Sequence, residues 1–518
     1  MSLIKNVITV GGWTLAYRIS SFIRDIAQSN FLGAGLYADV FSLSFKFANS
    51  LRKFFAEGAF NASFLPIFSG ALKDKGHDEA QKIAAQIFTW LTLWVSFFLV
   101  LCLIFFRAIM GNTLGAGIDP STEKFERLIS VGRICSPYVA ASVLAAMFSG
   151  ILNALNRFAI TTAAQLVLNI FVICAVFIGP LFFPSVAYTM AWATFSAGIA
   201  QVFVLWFNVK RLGFKIGFDF SEKKQEVKLF FKKLLSGVIG SGIAQVNLLL
   251  DFVALSFLPT GAVSYFYYVD HAQQFPMGIL GIAFGIALLP PLARSIHRKD
   301  DAAARRQMNS GLLFALSLTL PAMVICASLS EPLIGAIYGR GSFTPEHVAA
   351  AAPALVAFAY GLPIYMATKV FSSVFFANKD TSSPFRGAVI SIFANLFFIG
   401  LLMPFLKHTG VAWATTLASC FNFIYLTLNL KKRCGIQVDK RSCVECLKQI
   451  AVSALMFALI LFMNGWAAPY YANGGAERNV ALLVVVGIAL LAFFIVGKIV
   501  GMFSFMKEIK ALDKQIEA

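Results

Sequence analysis

Charged residues are scarce in this chain. Asp, Glu, Lys and Arg make up 13% of its 518 residues, where a soluble domain carries about 25%. With 58% apolar residues, that scarcity excludes both a soluble globular protein and a disordered one. Long polar stretches are lacking too, which leaves no room for a separate catalytic domain, and no P-loop is present to hydrolyse ATP. Cys102, Cys135, Cys174, Cys326, Cys420, Cys434, Cys443 and Cys446 are scattered, mostly within apolar segments where a thiol acts as a small hydrophobe, so no disulfide framework is expected. Cys443 and Cys446 have CxxC spacing without a fourth ligand nearby, and no metal site is predicted. Acids are outnumbered by bases, 25 against 43, for a formal net charge of +18. Such a charge suits a nucleic-acid partner or a membrane topology, and the positions of the bases decide between them.

What the chain has is 54 Phe and apolar runs of about 20 residues from end to end. Spans are expected near 7–32, 36–63, 84–107, 128–153, 158–180, 186–209, 234–257, 262–292, 308–333, 347–376, 385–406, 409–430, 448–469 and 479–503. The fold class is therefore an all-α polytopic membrane protein of about fourteen transmembrane helices. Of the 43 bases, thirty fall in one alternating set of connections, six in the opposite set (Arg107, Lys124, Arg127, Arg340, Lys407, Arg478) and seven inside spans. The positive-inside rule then places both termini in the cytoplasm, and no nucleic-acid partner is expected. Arg18 and Arg24 interrupt the first apolar stretch, which reads as a retained helix rather than a signal peptide.

The segment 221–233 (SEKKQEVKLFFKK) is expected to form an interfacial helix leading into the seventh span. It separates two halves, in which LGAGLYADVF then FLPIF is matched by LPTGAVSYFYYVD then LLPPL. The expected organisation is an N-terminal lobe over 1–220 (spans 1–6), a C-terminal lobe over 221–440 (spans 7–12) and a helix pair with a cytoplasmic tail over 441–518. Pseudo-symmetry of this kind marks transporters with a central site.

Seven bases (Arg18, Arg24, Lys46, Arg52, Lys53, Arg133, Lys369) and five acids (Asp25, Asp39, Glu57, Asp251, Asp270) lie within spans. Each costs on the order of 3 kcal/mol at mid-membrane, so a cluster implies a watery cavity or mutual pairing. The first two spans hold eight of the twelve. At about 100° per residue, Asp39, Lys46, Lys53 and Glu57 fall on one stripe of the second helix, and Arg18 and Asp25 are in phase on the first. Arg24 and Arg52 lie off those stripes, so either the cavity is wide or the helices bend, with Gly58 and Pro66 as sites for a bend. An excess of cations suits a pyrophosphate, because a guanidinium donates two parallel hydrogen bonds to phosphate oxygens. Salt bridging among Arg24, Asp25, Lys53 and Glu57 is the competing reading. Gln245, Asn247 and Asp251 place oxygens on one helix face, where they hold Na⁺ or a proton or make a helix contact. In YFYYVDHAQQFP, His271 either takes part in ligand binding or is fixed by Asp270.

The strings FIRD (22–25), LGAGLYADVFSLSFKFANSLRKFFAEGAFNASFLPIF (32–68), ILNALNRF (151–158), YFYYVDHAQQFPMGILGIAFGIALLP (265–290) and TGVAWATTLAS (409–419) closely resemble the MurJ (MviN) family, lipid II flippases of the multidrug/oligosaccharidyl-lipid/polysaccharide exporter superfamily. The resemblance implies two six-helix lobes plus a C-terminal pair, with a groove for the undecaprenyl tail and a cationic cavity for the pyrophosphate and sugar-peptide head. It also implies that lipid II moves from the cytoplasmic to the outer leaflet of the bacterial inner membrane by alternating access, in peptidoglycan biosynthesis and without enzymatic turnover. Arg18, Arg24 and Arg52 take the family's essential basic positions, with Lys53, Lys46 and His271 beside them as substrate-binding residues and Asp25, Asp39, Glu57 and Asp270 as cavity or gating acids. Lys53 and His271 stand where the family commonly has arginines. Asp251, Asn395 and Thr416 match part of a cation site, but Ile399 stands where a second acid is expected. No cofactor is implied; coupling to membrane potential, H⁺ or Na⁺ is left open, as is recruitment of cell-wall synthesis proteins. The alternatives are an exporter of another polyprenyl-linked glycan or a multidrug/cation antiporter. A polytopic transferase would need catalytic groups on substantial loops, and a scaffold would not need buried charge.

Overall fold

In hydrocarbon every backbone amide must find its partner within its own segment, and the apolar runs of this chain accordingly fold as helices. The computed structural model describes residues 3–56, 59–179, 182–183, 185–221, 224–287, 289–298 and 300–506, with no strand among them. The chain divides into two compact units, Met1–Ser264 and Tyr265–Ala518. The first holds α1 (Leu3–Leu32), α2 (Leu36–Ala56), α3 (Ala59–Asp74), α4 (His77–Ile104), α5 (Phe106–Gly111), α6 (Glu123–Cys135), α7 (Pro137–Ala154), α8 (Phe158–Ala163), α9 (Leu166–Ile178), α10 (Val186–Arg211) and α11 (Gln225–Ser256). The division falls just inside α12 (Ala262–Ala287). The second unit continues with α13 (Leu289–His297), α14 (Asp301–Ser328), α15 (Ser330–Tyr338), α16 (Pro345–Ala377), α17 (Ser382–Cys434), α18 (Lys440–Asn473) and α19 (Gly475–Ile499).

Among the described residues nine helical runs are long and apolar enough to cross a membrane: α4, α6 with α7, α8 with α9, α10, α14, α16, α17, α18 and α19. The charge-bearing α1, α2 and α12 fall outside this set, and α11 contributes the apolar stretch Gln245–Ser256.

The core of the first unit is built on an aromatic ladder. Phe60, Phe64 and Phe68 recur every fourth residue along α3 and stack at 5.3 and 5.4 Å, with Phe230 of α11 set edge-on 5.4 Å from Phe60. That contact seats the opening turns of α11, within the stretch read as an interfacial helix leading into the seventh span. Val227, Phe230 and Leu234 recur at i, i+3 and i+7 and are all buried, so this stretch forms the opening turns of one 32-residue helix. Its charged face is tied down by two ion pairs, Lys75 with Glu226 and Lys224 with Glu79.

In the second unit, α17 would be about 80 Å long if straight, more than twice a bilayer. It is instead a hairpin. Lys407 has φ 52° and ψ −132°, and beyond it the rings of Phe398 and Phe421 lie 5.8 Å apart. A methyl on Gly410 would come within 2.6 Å of the Leu402 carbonyl oxygen, so only glycine permits so close a return. The reversal sits between the spans read as 385–406 and 409–430. α18 and α19 pack together through Met456, Ile460, Val485, Ala489 and Phe493, and against Val324 of α14. Phe462, Leu483 and Ile499 of the same pair are exposed, as suits a lipid-facing surface.

Candidate functional site

α1 and α9 meet around a buried guanidinium. Arg24 is 4% exposed; its Nε and Nη2 donate to Asp25 Oδ1 at 3.1 and 2.7 Å, and its Nη1 donates to Asn169 Oδ1 at 3.1 Å. Asn169 in turn donates through Nδ2 to Ser20 Oγ at 2.8 Å and to the Tyr17 carbonyl at 3.3 Å. The Phe45 ring of α2 lies 5.4 Å from the guanidinium carbon. The Arg24–Asp25 pair anticipated by the salt-bridge reading therefore exists, with one carboxylate oxygen accepting both of its bonds. Asn169 was not singled out by the sequence reading, because an Asn within an apolar run carries no local signal of its partner.

α2 carries the next group. Asp39 is fully buried and accepts four hydrogen bonds: from Lys124 Nζ at 2.7 Å, Gly261 N at 2.9 Å, Ser264 N at 2.9 Å and Ser264 Oγ at 2.5 Å. The carboxylate thus caps the N-terminus of α12 from a distant element, where the helix dipole favours an anion. Gly261 has φ 98°, which lets the turn before α12 present its amide to Asp39. Lys124 entered the sequence reading only as one of six bases on the sparse side; here it is the counter-ion of Asp39. Two turns further on, Lys46 is 5% exposed with Nζ 4.2 Å from the centre of the Phe252 ring. Asp39 and Lys46 both meet the 252–264 stretch, as a single stripe requires.

Arg52 is half-buried, with Nε donating to Asn49 Oδ1 at 3.0 Å, and it borders a cavity of about 310 Å³ enclosed by helices of the first unit. Lys53 lies beside it, half-buried, at the end of α2. Arg18 is half-buried on α1, with its Nε shielded from solvent and lacking a hydrogen-bond partner among the described residues. Glu57 and Gly58 lie outside the described residues.

His271 and Asp270 belong to the second unit. The His271 ring lies 4.2 Å from that of Tyr267, and Asp270 is 6% exposed. Tyr268 is buried against Tyr338, whose hydroxyl donates to the Tyr268 carbonyl at 3.1 Å. Of the candidate cation ligands, Asp251 is buried in the first unit, while Asn395 and Thr416 are buried in the second. Thr416 Oγ1 donates to the Ala357 carbonyl at 2.9 Å and lies 3.0 Å from Tyr365 Oη, so it is already engaged by protein groups. Among the described residues no three His, Cys, Asp or Glu side chains cluster as metal ligands.

The arrangement combines a fixed guanidinium, further cations on α1 and α2, and a carboxylate that caps a helix. Its cations carry the charge to attract an anionic group, and the Asp39 carboxylate ties the turn before α12 to α2.

The profile of the family described as "Lipid II flippase MurJ" matches residues 28–481. Similar curated proteins include the "Probable lipid II flippase MurJ" of Rhizobium tropici, 31% identical over 97% of this chain and 95% of that one. Another is the "Lipid II flippase MurJ" of Burkholderia cenocepacia, 27% identical over 88% of this chain and 89% of that one. Among solved structures, the "Lipid II flippase MurJ, inward closed conformation" superposes with a TM-score of 0.79 at 24% identity, covering 95% of this chain and 98% of that chain. An inward-facing multidrug resistance MATE family transporter shares the fold at a TM-score of 0.65 and 13% identity, over 82% of this chain and 98% of its own.

Proposed function

Because the chain belongs to the lipid II flippase MurJ family, we propose that it is the transporter that carries lipid II from the cytoplasmic to the outer leaflet of the bacterial inner membrane, by alternating access. The observation that carries this reading is the buried Arg24 fork on α1. A cation held at 4% exposure by Asp25 and Asn169 is costly in a membrane and is retained where an anionic group must be received. Arg18, Arg52, Lys53, Lys46 and His271 serve the pyrophosphate and its attached head. Asp25 orients Arg24, and Asp39 acts as the gating acid, holding α12 through its N-terminal amides in the conformation described here. Glu57 and Asp270 complete the set of gating acids. The apolar outer faces of α18 and α19 suit a polyprenyl tail. The membrane potential supplies about 2.3 kcal/mol per charge per 100 mV, an adequate drive for moving a polyanionic head.

The test is leaflet-resolved access to lipid II with a probe that cannot cross the membrane. Depleting the protein should remove lipid II from the outer leaflet, and the wild-type chain should restore it. Arg24→Lys, which keeps the charge but not the fork, should restore it poorly at equal expression. Unchanged outer-leaflet lipid II on depletion would refute the reading.

A further inference from the structure

A polar cavity of about 230 Å³ lies in the second unit, where the charged ends of α14 and α18 meet the turn that follows α19. Its charges are sorted by depth. Arg306 of α14 and Arg441 of α18 are exposed at its rim, while Glu445 of α18 is 7% exposed in its wall. Asp439, the other acid of the lining, is paired with Arg305. Glu445 Oε1 accepts from Lys448 Nζ at 3.1 Å, whereas Oε2 is shielded from solvent and has no hydrogen-bond partner among the described residues. Gln449, one turn further along the same face, repeats the pattern. Its Nε2 donates to the Leu313 carbonyl at 3.1 Å, and its buried Oε1 accepts no bond among the described residues. Buried acceptors without a donor are costly, and a carboxylate oxygen more so than an amide oxygen.

This sorting selects the occupant. An anion alone would suit the two arginines but lie against Glu445, and a metal cation alone would suit Glu445 but sit beneath two guanidiniums. A molecule with an ammonium at one end and a phosphate at the other answers both. The ammonium brings three N–H donors to the unmatched acceptors, and the phosphate oxygens receive the guanidinium forks. The volume of about 230 Å³ falls below the roughly 300 Å³ at which ligand pockets usually begin, which suits a group the size of a lipid headgroup rather than a nucleotide. The position agrees. α14 and α18 are each long and apolar enough to cross a bilayer, and the cavity opens at their charged ends, where hydrocarbon gives way to headgroups. The same elements expose Val444 and Leu447 on α18 and Val500 and Met506 beyond α19, an apolar surface suited to acyl chains.

We propose that this cavity binds a phosphorylated primary amine of the kind borne by aminophospholipid headgroups, with its ammonium at Glu445 and its phosphate at Arg306 and Arg441. The full chain in detergent tests it by the lipid it retains, read by native mass spectrometry after equal additions of phosphatidylethanolamine, phosphatidylcholine and phosphatidylglycerol with the same acyl chains. Phosphatidylcholine keeps the positive charge but has no N–H to donate, and phosphatidylglycerol keeps the phosphate but has no amine. The wild type should hold phosphatidylethanolamine roughly tenfold more tightly than either. Glu445→Gln should lose that preference. Arg306→Gln/Arg441→Gln, altered only at exposed positions, should weaken phosphatidylethanolamine by a similar factor. If Glu445→Gln lowers the Tm of the lipid-free protein, the arginine double variant, which leaves the buried wall intact, decides alone. Soluble O-phosphoethanolamine separates the two sources of this chemistry: binding equal to the lipid's assigns the site to a free phosphorylated amine, and binding at least roughly tenfold weaker assigns it to the lipid. Equal retention of all three lipids by the wild type, or a preference that survives both variants, overturns the site. The readout is retention rather than flipping, so that failure leaves the flippase reading standing.

Discussion

Asn169 holds Arg24 in place without carrying charge, which makes it a cleaner probe of the fork than Arg24 itself. Asn169→Ala deletes the bond to Nη1 and those to Ser20 and Tyr17, and should cost about 1–3 kcal/mol. The expected result is a lowered Tm together with reduced flipping; full transport with an unaltered Tm would show that the fork needs no third partner. Asp39 offers a second test. Asp39→Asn strands Lys124, whose side chain is 11% exposed, and breaking such a pair costs about 3–5 kcal/mol. Adding Lys124→Met should recover part of that loss of Tm, because it removes the stranded charge; strict additivity would mean that the two side chains do not interact. Residue spacing made the α2 stripe legible, since Asp39 and Lys46 are both buried on the face it defines. The partners were not legible: Asn169 is 145 positions from Arg24 and Lys124 is 85 from Asp39, distances at which only the packed fold brings groups together.

Hydrophobic periodicity located helices but not all of their limits: the expected span 36–63 is shared between α2, which ends at Ala56, and α3, which runs from Ala59 to Asp74. The stretch over 225–234 is amphipathic, with Val227, Phe230 and Leu234 buried and Lys228, Lys232 and Lys233 exposed, and it runs without a break into the helix that follows. Its anchoring is electrostatic and therefore titratable. The hydrogen bond from Lys75 holds the Glu226 carboxyl below its ordinary value of 4.5. A carboxylate with a depressed folded value stabilises the fold above its ordinary value, and that stabilisation is lost as pH falls through the lower one. Once corrected for the intrinsic pH dependence of exchange, the protection of amides over 225–230 should therefore fall below about pH 4.5, and Glu226→Gln should show the lower protection already at pH 7. Molar salt at pH 7 should act in the same direction, since both partners are partly exposed. Protection insensitive to pH, salt and substitution would leave the aromatic ladder to anchor this stretch without help from the ion pairs.

Across the whole molecule, the charge of +18 reads as topology rather than as a binding surface, because thirty of the 43 bases gather in one alternating set of connections. The start of α18 belongs to that set and carries an exposed free thiol at Cys443. In a variant keeping Cys443 and lacking the other seven cysteines, a membrane-impermeant maleimide should label only after the inner membrane is permeabilised. Labelling of intact cells would invert the orientation. The all-helical class followed from composition, whereas the partition into units depends on which helices share a core, and that is written in packing rather than in hydropathy.

The one-residue reversal at Lys407 also constrains how the chain is made. From Gly387 to Leu430 Lys407 is the lone Lys, Arg, Asp or Glu, so nothing but the tip marks where one arm ends and the next begins. His408 fastens that tip by a 2.8 Å contact with the Ala350 carbonyl. The backbone strain of holding a lysine at φ 52° costs about 1–3 kcal/mol, and it is sustained only once both arms have docked. The tip therefore takes its final geometry only after the two arms, each about 20 apolar residues long and able to cross a bilayer alone, have packed together.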